Sequence, residues 1–168
     1  MTMRALSIFV FAVFLLFPFA GAKAEYRVES VDNDFPSEIK DATEEGKSLV
    51  IFFHQAGCPY CDKMRARVHP APKVFDYYSK YFVMIESNIR GSLDVVMPSG
   101  KKGTERDFAR KNRIRATPVF IFYDKKGKNV LRLTGYQDVN RFYLAGKYVV
   151  DKVYEKKKSF FRYLQDQR

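Results

Sequence analysis

A chain of 168 residues, 46% of them hydrophobic and 29% charged, is sized for one domain and leaves no length for a second, such as a dimerisation domain. Its formal charge of +11 at pH 7 suits acidic protein partners or anionic membrane surfaces, and equally a solvated face with no specific role. No arginine-glycine tract or zinc-finger spacing points that charge toward nucleic acid.

At the N-terminus, Arg4 provides a positive start, Ala5 to Phe17 is almost wholly apolar, and Ala22-Lys23-Ala24 offers small residues for cleavage. Residues 1–24 therefore read as a signal peptide cut after Ala24, with Ala20-Gly21-Ala22 as a second site. The apolar stretch is shorter than the ~20 residues of a membrane span, so a retained anchor ranks below cleavage. Residues 25–168 then form a domain that has lost two positive charges and sits in a periplasmic or otherwise extracytoplasmic compartment. Nucleic-acid binding fits that location badly, whereas an oxidising compartment allows a lone cysteine pair to form a disulfide.

Phe35 to Ala42 predicts a helix capped by Asp34 and stopped at Gly46. Ser48-Leu49-Val50-Ile51-Phe52-Phe53 is a continuous apolar run, the pattern of a central strand buried on both faces. Pro59 suits the first turn of a helix that Asp62 to Val68 continues, and Pro70 and Pro72 break it. A helix over about Lys73 to Ser79 leads into a second strand, Tyr81 to Glu86, and the helices between the two strands imply a right-handed parallel crossover. Residues 88–103 read as an inserted loop with a small hairpin around Leu93 to Met97. Thr104 to Arg110 restarts a helix, Thr117-Pro118 precedes a strand at Val119 to Tyr123, and Asp124 to Lys128 turns into a strand at Val130 to Leu133. One long, basic closing helix is predicted from Asp138, with Phe142, Ala145, Val149 and Val153 at helical spacing. The order builds an α/β fold with a central mixed β-sheet flanked by helices on both sides.

The chemistry concentrates in Cys58-Pro59-Tyr60-Cys61, which holds the only two cysteines and lies between the buried strand and the next helix. A structural disulfide gains most by closing a long loop, and this pair closes almost none. A thiolate at a helix start, by contrast, is favoured by unpaired backbone N–H groups, and a thiol three residues on can attack the mixed disulfide the first one forms. Cys58 is thus the candidate nucleophile and Cys61 the candidate resolving thiol. His54, four residues earlier, is a source of charge or a proton near the thiols, or merely a polar strand end. Lys63, Arg65 and Arg67 add positive charge on the following helix. A metal centre is the alternative of another class, with Cys58 and Cys61 joined by His54 or His69 around Cu(I) or zinc. A binding module that works through its basic surface is a third.

The Cys58-Pro59-Tyr60-Cys61 motif after a buried strand, Thr117-Pro118 before a strand, and the Gly127 hairpin followed by Gly135 together resemble the thioredoxin-like superfamily over nearly the whole mature chain. The Phe-Phe-His-Gln strand end, the inserted loop and the Arg-Ala-Thr-Pro segment resemble its exported SoxW-type members. That resemblance implies a thioredoxin-like fold and a thiol-disulfide oxidoreductase without cofactor or metal. It implies protein thiol or disulfide substrates, a membrane thiol electron carrier as donor, and a monomer. It also implies a cis Pro118 facing the cysteines, with Thr117 and Pro118 offering backbone to an extended substrate, and Pro59 and Tyr60 tuning the pair. Reduction is the implied direction, with dithiol oxidation or isomerisation the alternative. Two positions depart from the family pattern: Gly57 stands where tryptophan is common, and Phe52 where a buried carboxylate assists proton transfer. Tyr60 gives the dipeptide its glutaredoxin type.

Overall fold

A seven-residue strand, Ser48–His54, runs through the middle of the molecule with a neighbour on each side. The computed structural model describes residues 25–30 and 32–167, so the expected signal peptide lies outside it. In chain order the elements are β1 (Arg27–Val28), α1 (Phe35–Glu44), β2 (Ser48–His54), α2 (Pro59–Lys63), α3 (Pro72–Tyr81) and β3 (Phe82–Asn88), followed by β4 (Asp94–Val96) and β5 (Lys102–Thr104). Next come α4 (Glu105–Lys111), β6 (Val119–Tyr123), β7 (Asn129–Thr134), α5 (Val139–Val150) and α6 (Phe160–Gln165). The main sheet has the order β1-β3-β2-β6-β7, parallel across β1, β3 and β2 and antiparallel from β2 through β6 to β7. It is the mixed sheet flanked by helices that the sequence predicts.

Local signals account for several boundaries. The Asp34 carboxylate accepts from Ser37 N–H at 3.0 Å and starts α1, and Gly46, at φ +76°, takes the left-handed conformation that turns the chain toward β2. Thr104 and Asp107 cap α4 reciprocally. The inserted segment does hold a hairpin, β4 paired antiparallel with β5.

Strand periodicity divides the core in two. From β2 and β6, Val50, Phe52, Phe120 and Phe122 face one side, where Tyr78, Phe142 and Tyr148 make the packing largely aromatic. Leu49, Ile51, Phe53, Val119 and Ile121 face the other, against Phe35 and Phe108. On the first side the Tyr78 and Phe142 rings stack at 4.6 Å, and Tyr78 donates its hydroxyl hydrogen bond to the Phe142 carbonyl at 2.7 Å.

Three expectations need correction. The helix after the cysteines keeps α-geometry only to Lys63; Met64–Val68 is a wider π-helical turn, and Pro72 opens α3 rather than breaking a helix. The closing helix is not continuous: α5 ends at Val150, and Val153 lies on a separate 3-10 turn spanning Val153–Lys156. Lys152 and Lys157, at φ +50° and +53°, stop each piece, and the chain folds back so that Phe160 and Tyr163 pack on Tyr148. The two-residue β1, parallel to β3, went unforeseen, since two residues carry no period.

Below the motif helix, His69 is buried among Phe52, Phe120 and Phe142, with Nδ1 2.7 Å from the Tyr26 hydroxyl and Nε2 without a partner among the described residues. Burial, with Arg27 and Arg65 adding to it, holds its pKa down at about 3. A histidine with a lowered folded pKa binds protons preferentially when unfolded, so stability falls as pH drops from about 6.5 toward about 3 and is unaffected by this group above that window. His69→Leu should therefore show a smaller loss of urea midpoint between pH 7 and pH 4 than the unmodified protein. Phe142→Ala should cost about 3 to 5 kcal/mol in urea unfolding, because it empties the centre of the aromatic side.

Candidate functional site

The motif begins where β2 leaves the sheet. Gly57 turns the chain at φ +69°, a conformation that a tryptophan at this position would adopt only with strain. Cys58 is extended at φ −90°, ψ 102°, and caps α2, with Pro59 in the first turn where no N–H is needed. The Cys58 sulfur accepts from Cys61 N–H at 3.2 Å, and its carbonyl accepts from Cys61 and Asp62 N–H at 3.0 and 3.1 Å. The N–H directed at the sulfur is placed to stabilise a thiolate at Cys58 when the pair is reduced.

Cys58 and Cys61 are joined as a disulfide, with their α-carbons 5.3 Å apart. Cys58 keeps 5% of its surface exposed and Cys61 none. Of the two residues, Cys58 is thus the one with surface left for an incoming group to meet. Tyr60 stands out at 58% exposure, its ring 6.4 Å from that of Tyr136, over which Lys63 places its ammonium at 4.5 Å.

Thr117 and Pro118 reach the same end of the sheet. Phe53 pairs with Val119 across β2 and β6, so Pro118 falls level with His54, just before the motif. The Thr117–Pro118 peptide is cis, and the Pro118 carbonyl accepts from Gly135 N–H at 2.8 Å. The loop after β7 is held in turn by Gln137, whose side chain donates to the Thr134 and Gly135 carbonyls and whose N–H approaches the Met64 sulfur at 3.5 Å. Three backbone segments thus converge at one rim: the motif, Thr117-Pro118 and residues 134–137.

His54 is placed by strand alternation on the same face as Phe52. Its Nε2 is 3.7 Å from Glu86, and Arg65 clamps Glu86 through Nε and Nη2 while lying over the Phe52 ring at 5.1 Å. Burial lowers the His54 pKa, Glu86 opposes that shift and Arg65 adds to it. Of the positive charges read on the helix after the cysteines, Arg65 is committed to Glu86 and Asp62. Glu86 went unnoticed in the sequence, although period two from Phe82 and Met84 puts it on the motif side. There it pairs in register with Phe52, beside the position where the family pattern has its buried carboxylate. For the metal alternative, no group of three or more His, Cys, Asp or Glu suited to an ion occurs among the described residues, and His69 is engaged with Tyr26.

A redox-active pair at the start of a helix, at the C-terminal end of the central strand of this sheet, defines a thiol-disulfide oxidoreductase of the thioredoxin fold. The model of the thioredoxin-like domain family matches residues 35–149, and the chain belongs to that family. Among solved structures it is similar to a thioredoxin-fold protein from Helicobacter pylori, with 19% identity, 85% of this chain and 84% of that one covered, and a TM-score of 0.59. A thioredoxin from Thermus thermophilus is 27% identical over 70% of this chain and 84% of that one, at a TM-score of 0.54. The C-terminal domain of DsbD from Neisseria meningitidis is 16% identical, with 68% and 93% covered and a TM-score of 0.51. No curated protein matches the chain.

Glu86→Gln should lower the His54 pKa further in a proton NMR titration, because it removes the charge that favours the imidazolium and frees the nearby guanidinium of Arg65. A rise would contradict the placement of Glu86.

Proposed function

We propose that this protein is an exported reductase of protein disulfides, of the SoxW type, that works as a monomer in an extracytoplasmic compartment and is recharged by a membrane thiol carrier. The observation that carries the redox reading is the asymmetry of the pair: Cys58 keeps a small exposed area and has an N–H directed at its sulfur, whereas Cys61, one turn behind it, is fully enclosed. The export signal read over 1–24 supports the compartment, and the strand-end, loop and Arg-Ala-Thr-Pro pattern supports the SoxW type and the reductive direction.

In the cycle, the Cys58 thiolate attacks one sulfur of a partner disulfide, the S–S bond breaks, and one partner thiolate leaves and takes a proton. Cys61, losing its proton, then attacks the Cys58 sulfur, the mixed disulfide breaks, and the second partner thiol leaves. The partner has gained two electrons and two protons, and Cys58 and Cys61 are left as the disulfide. A thiol carrier of the membrane restores the dithiol by the same exchange in reverse. Tyr60 and the backbone of Thr117 and Pro118 bound the surface on which a partner segment lies, and Pro59 and His54 set the environment of the pair.

Cys61→Ala, expressed with its signal, should accumulate a mixed disulfide through Cys58 with a protein partner that mass spectrometry identifies, whereas Cys58→Ala should trap nothing. Alkylation of the unmodified protein in cells should find the pair mostly reduced; a mostly oxidised pair would replace reduction by dithiol oxidation.

A further inference from the structure

We propose that the cleft between β1 and the inserted segment is a second binding site, which takes an extended polypeptide segment bearing a lysine or arginine side chain next to an aliphatic one. The cleft measures about 910 Å³. β1 and the residues after it form one wall, residues 91–93 the other, and the C-terminal ends of β2 and β3 the floor. It adjoins the redox motif through His54 yet contains neither cysteine.

Its charge runs against that of the molecule. In a chain of formal charge +11, four glutamates line this cleft with only two arginines, and each arginine is already engaged: Arg27 on Glu25 and Arg65 on Glu86. Glu29 and Glu105 are left. Glu29 is exposed and forms no ion pair among the described residues. Glu105 is only 6% exposed; its Oε1 accepts from Asn88 N–H at 2.7 Å, while Oε2 has no hydrogen-bond partner among the described residues. Gly91 makes room for that carboxylate, since a β-carbon there would collide with Oε2. With one oxygen held by Asn88 N–H and the other without a protein donor among the described residues, this carboxylate on the cleft wall can take a charge-assisted hydrogen bond from a guanidinium or ammonium.

Two further features select a polypeptide rather than a free polyamine. Val28 and Leu93, 40% and 61% exposed, are among the four most exposed large apolar side chains of the described residues, and both lie on this cleft. They offer an aliphatic contact that a polyamine does not use. Among the described residues β1 is also the last strand of its sheet, with no strand on its outer backbone edge, an edge that can pair with an extended segment.

The probe is a fluorescein-labelled Lys-Leu-Lys-Leu-Lys peptide, followed by anisotropy at low and at physiological salt, with amide shifts of the labelled protein as a map. Binding should weaken with salt, shift the amides of Val28, Asn88 and Gly91, and fall about tenfold in the double variant Glu29→Gln/Glu105→Gln, whose amide oxygen at position 105 still accepts from Asn88 N–H. Leu93→Ser, a surface change that leaves the core intact, should weaken binding several-fold. Reduction of a small aromatic disulfide by the dithiol should stay unchanged in all of these variants, which separates this site from the cysteine chemistry. Equal binding of a Glu-Leu-Glu-Leu-Glu peptide, indifference to both sets of substitutions, or full competition by spermidine with no contribution from Leu93 would each overturn the proposal.

Discussion

Everything at the redox end depends on β2 having neighbours on both edges and packed side chains on both faces. A strand so enclosed has no freedom to shift its register, because a one-residue slip would send Phe52 to the largely aliphatic side and Phe53 to the aromatic side. The point at which the chain leaves the sheet is fixed to within a residue, and with it the position of Cys58. The sulfur is held in place by the apolar packing of the aromatic side, to which both cysteines belong.

The same strand organises the charges. Because Phe52 occupies the enclosed position on the motif side, a carboxylate there would need a buried partner. The neighbouring strand instead brings Glu86 level with it near solvent, where Arg65 and His54 meet it. Ionisable chemistry has been moved one strand sideways, toward the edge of the sheet. The buried imidazole of His69, packed against Phe52, contributes no charge to the aromatic side at neutral pH.

Much of this was legible in the residues. The apolar run Ser48 to Phe53, the Asp34 cap, the helix restart at Thr104, the Asp124 to Lys128 turn and the cysteine spacing each rest on short-range physics, and each lies where the sequence predicts. What escaped depends on partners far away in the chain. β1 exists only because β3 offers it an edge, and the π-turn at Met64–Val68 has no signature in propensity. The break after Val150 comes at Lys152, left-handed although lysine favours a helix by itself, and Lys157 does the same after the next turn, so the return of Phe160 onto Tyr148 outweighed local preference. At the site, Glu86 was visible as a polar residue on an inward strand position, whereas its union with Arg65 required knowing where the turn after α2 would lie.

One contact between helices carries further than its size. Gly146 of α5 faces Tyr78 of α3 so closely that a β-carbon would come within 2.9 Å of the ring. The tyrosine therefore acts as a tooth in a notch, and the two helices cannot slide along one another without disengaging it. α6 and the turn before it hang from the far end of α5, so their height above the sheet is indexed by that notch. The C-terminal segment is thereby measured off from the aromatic core, as a vernier is read from its fixed scale.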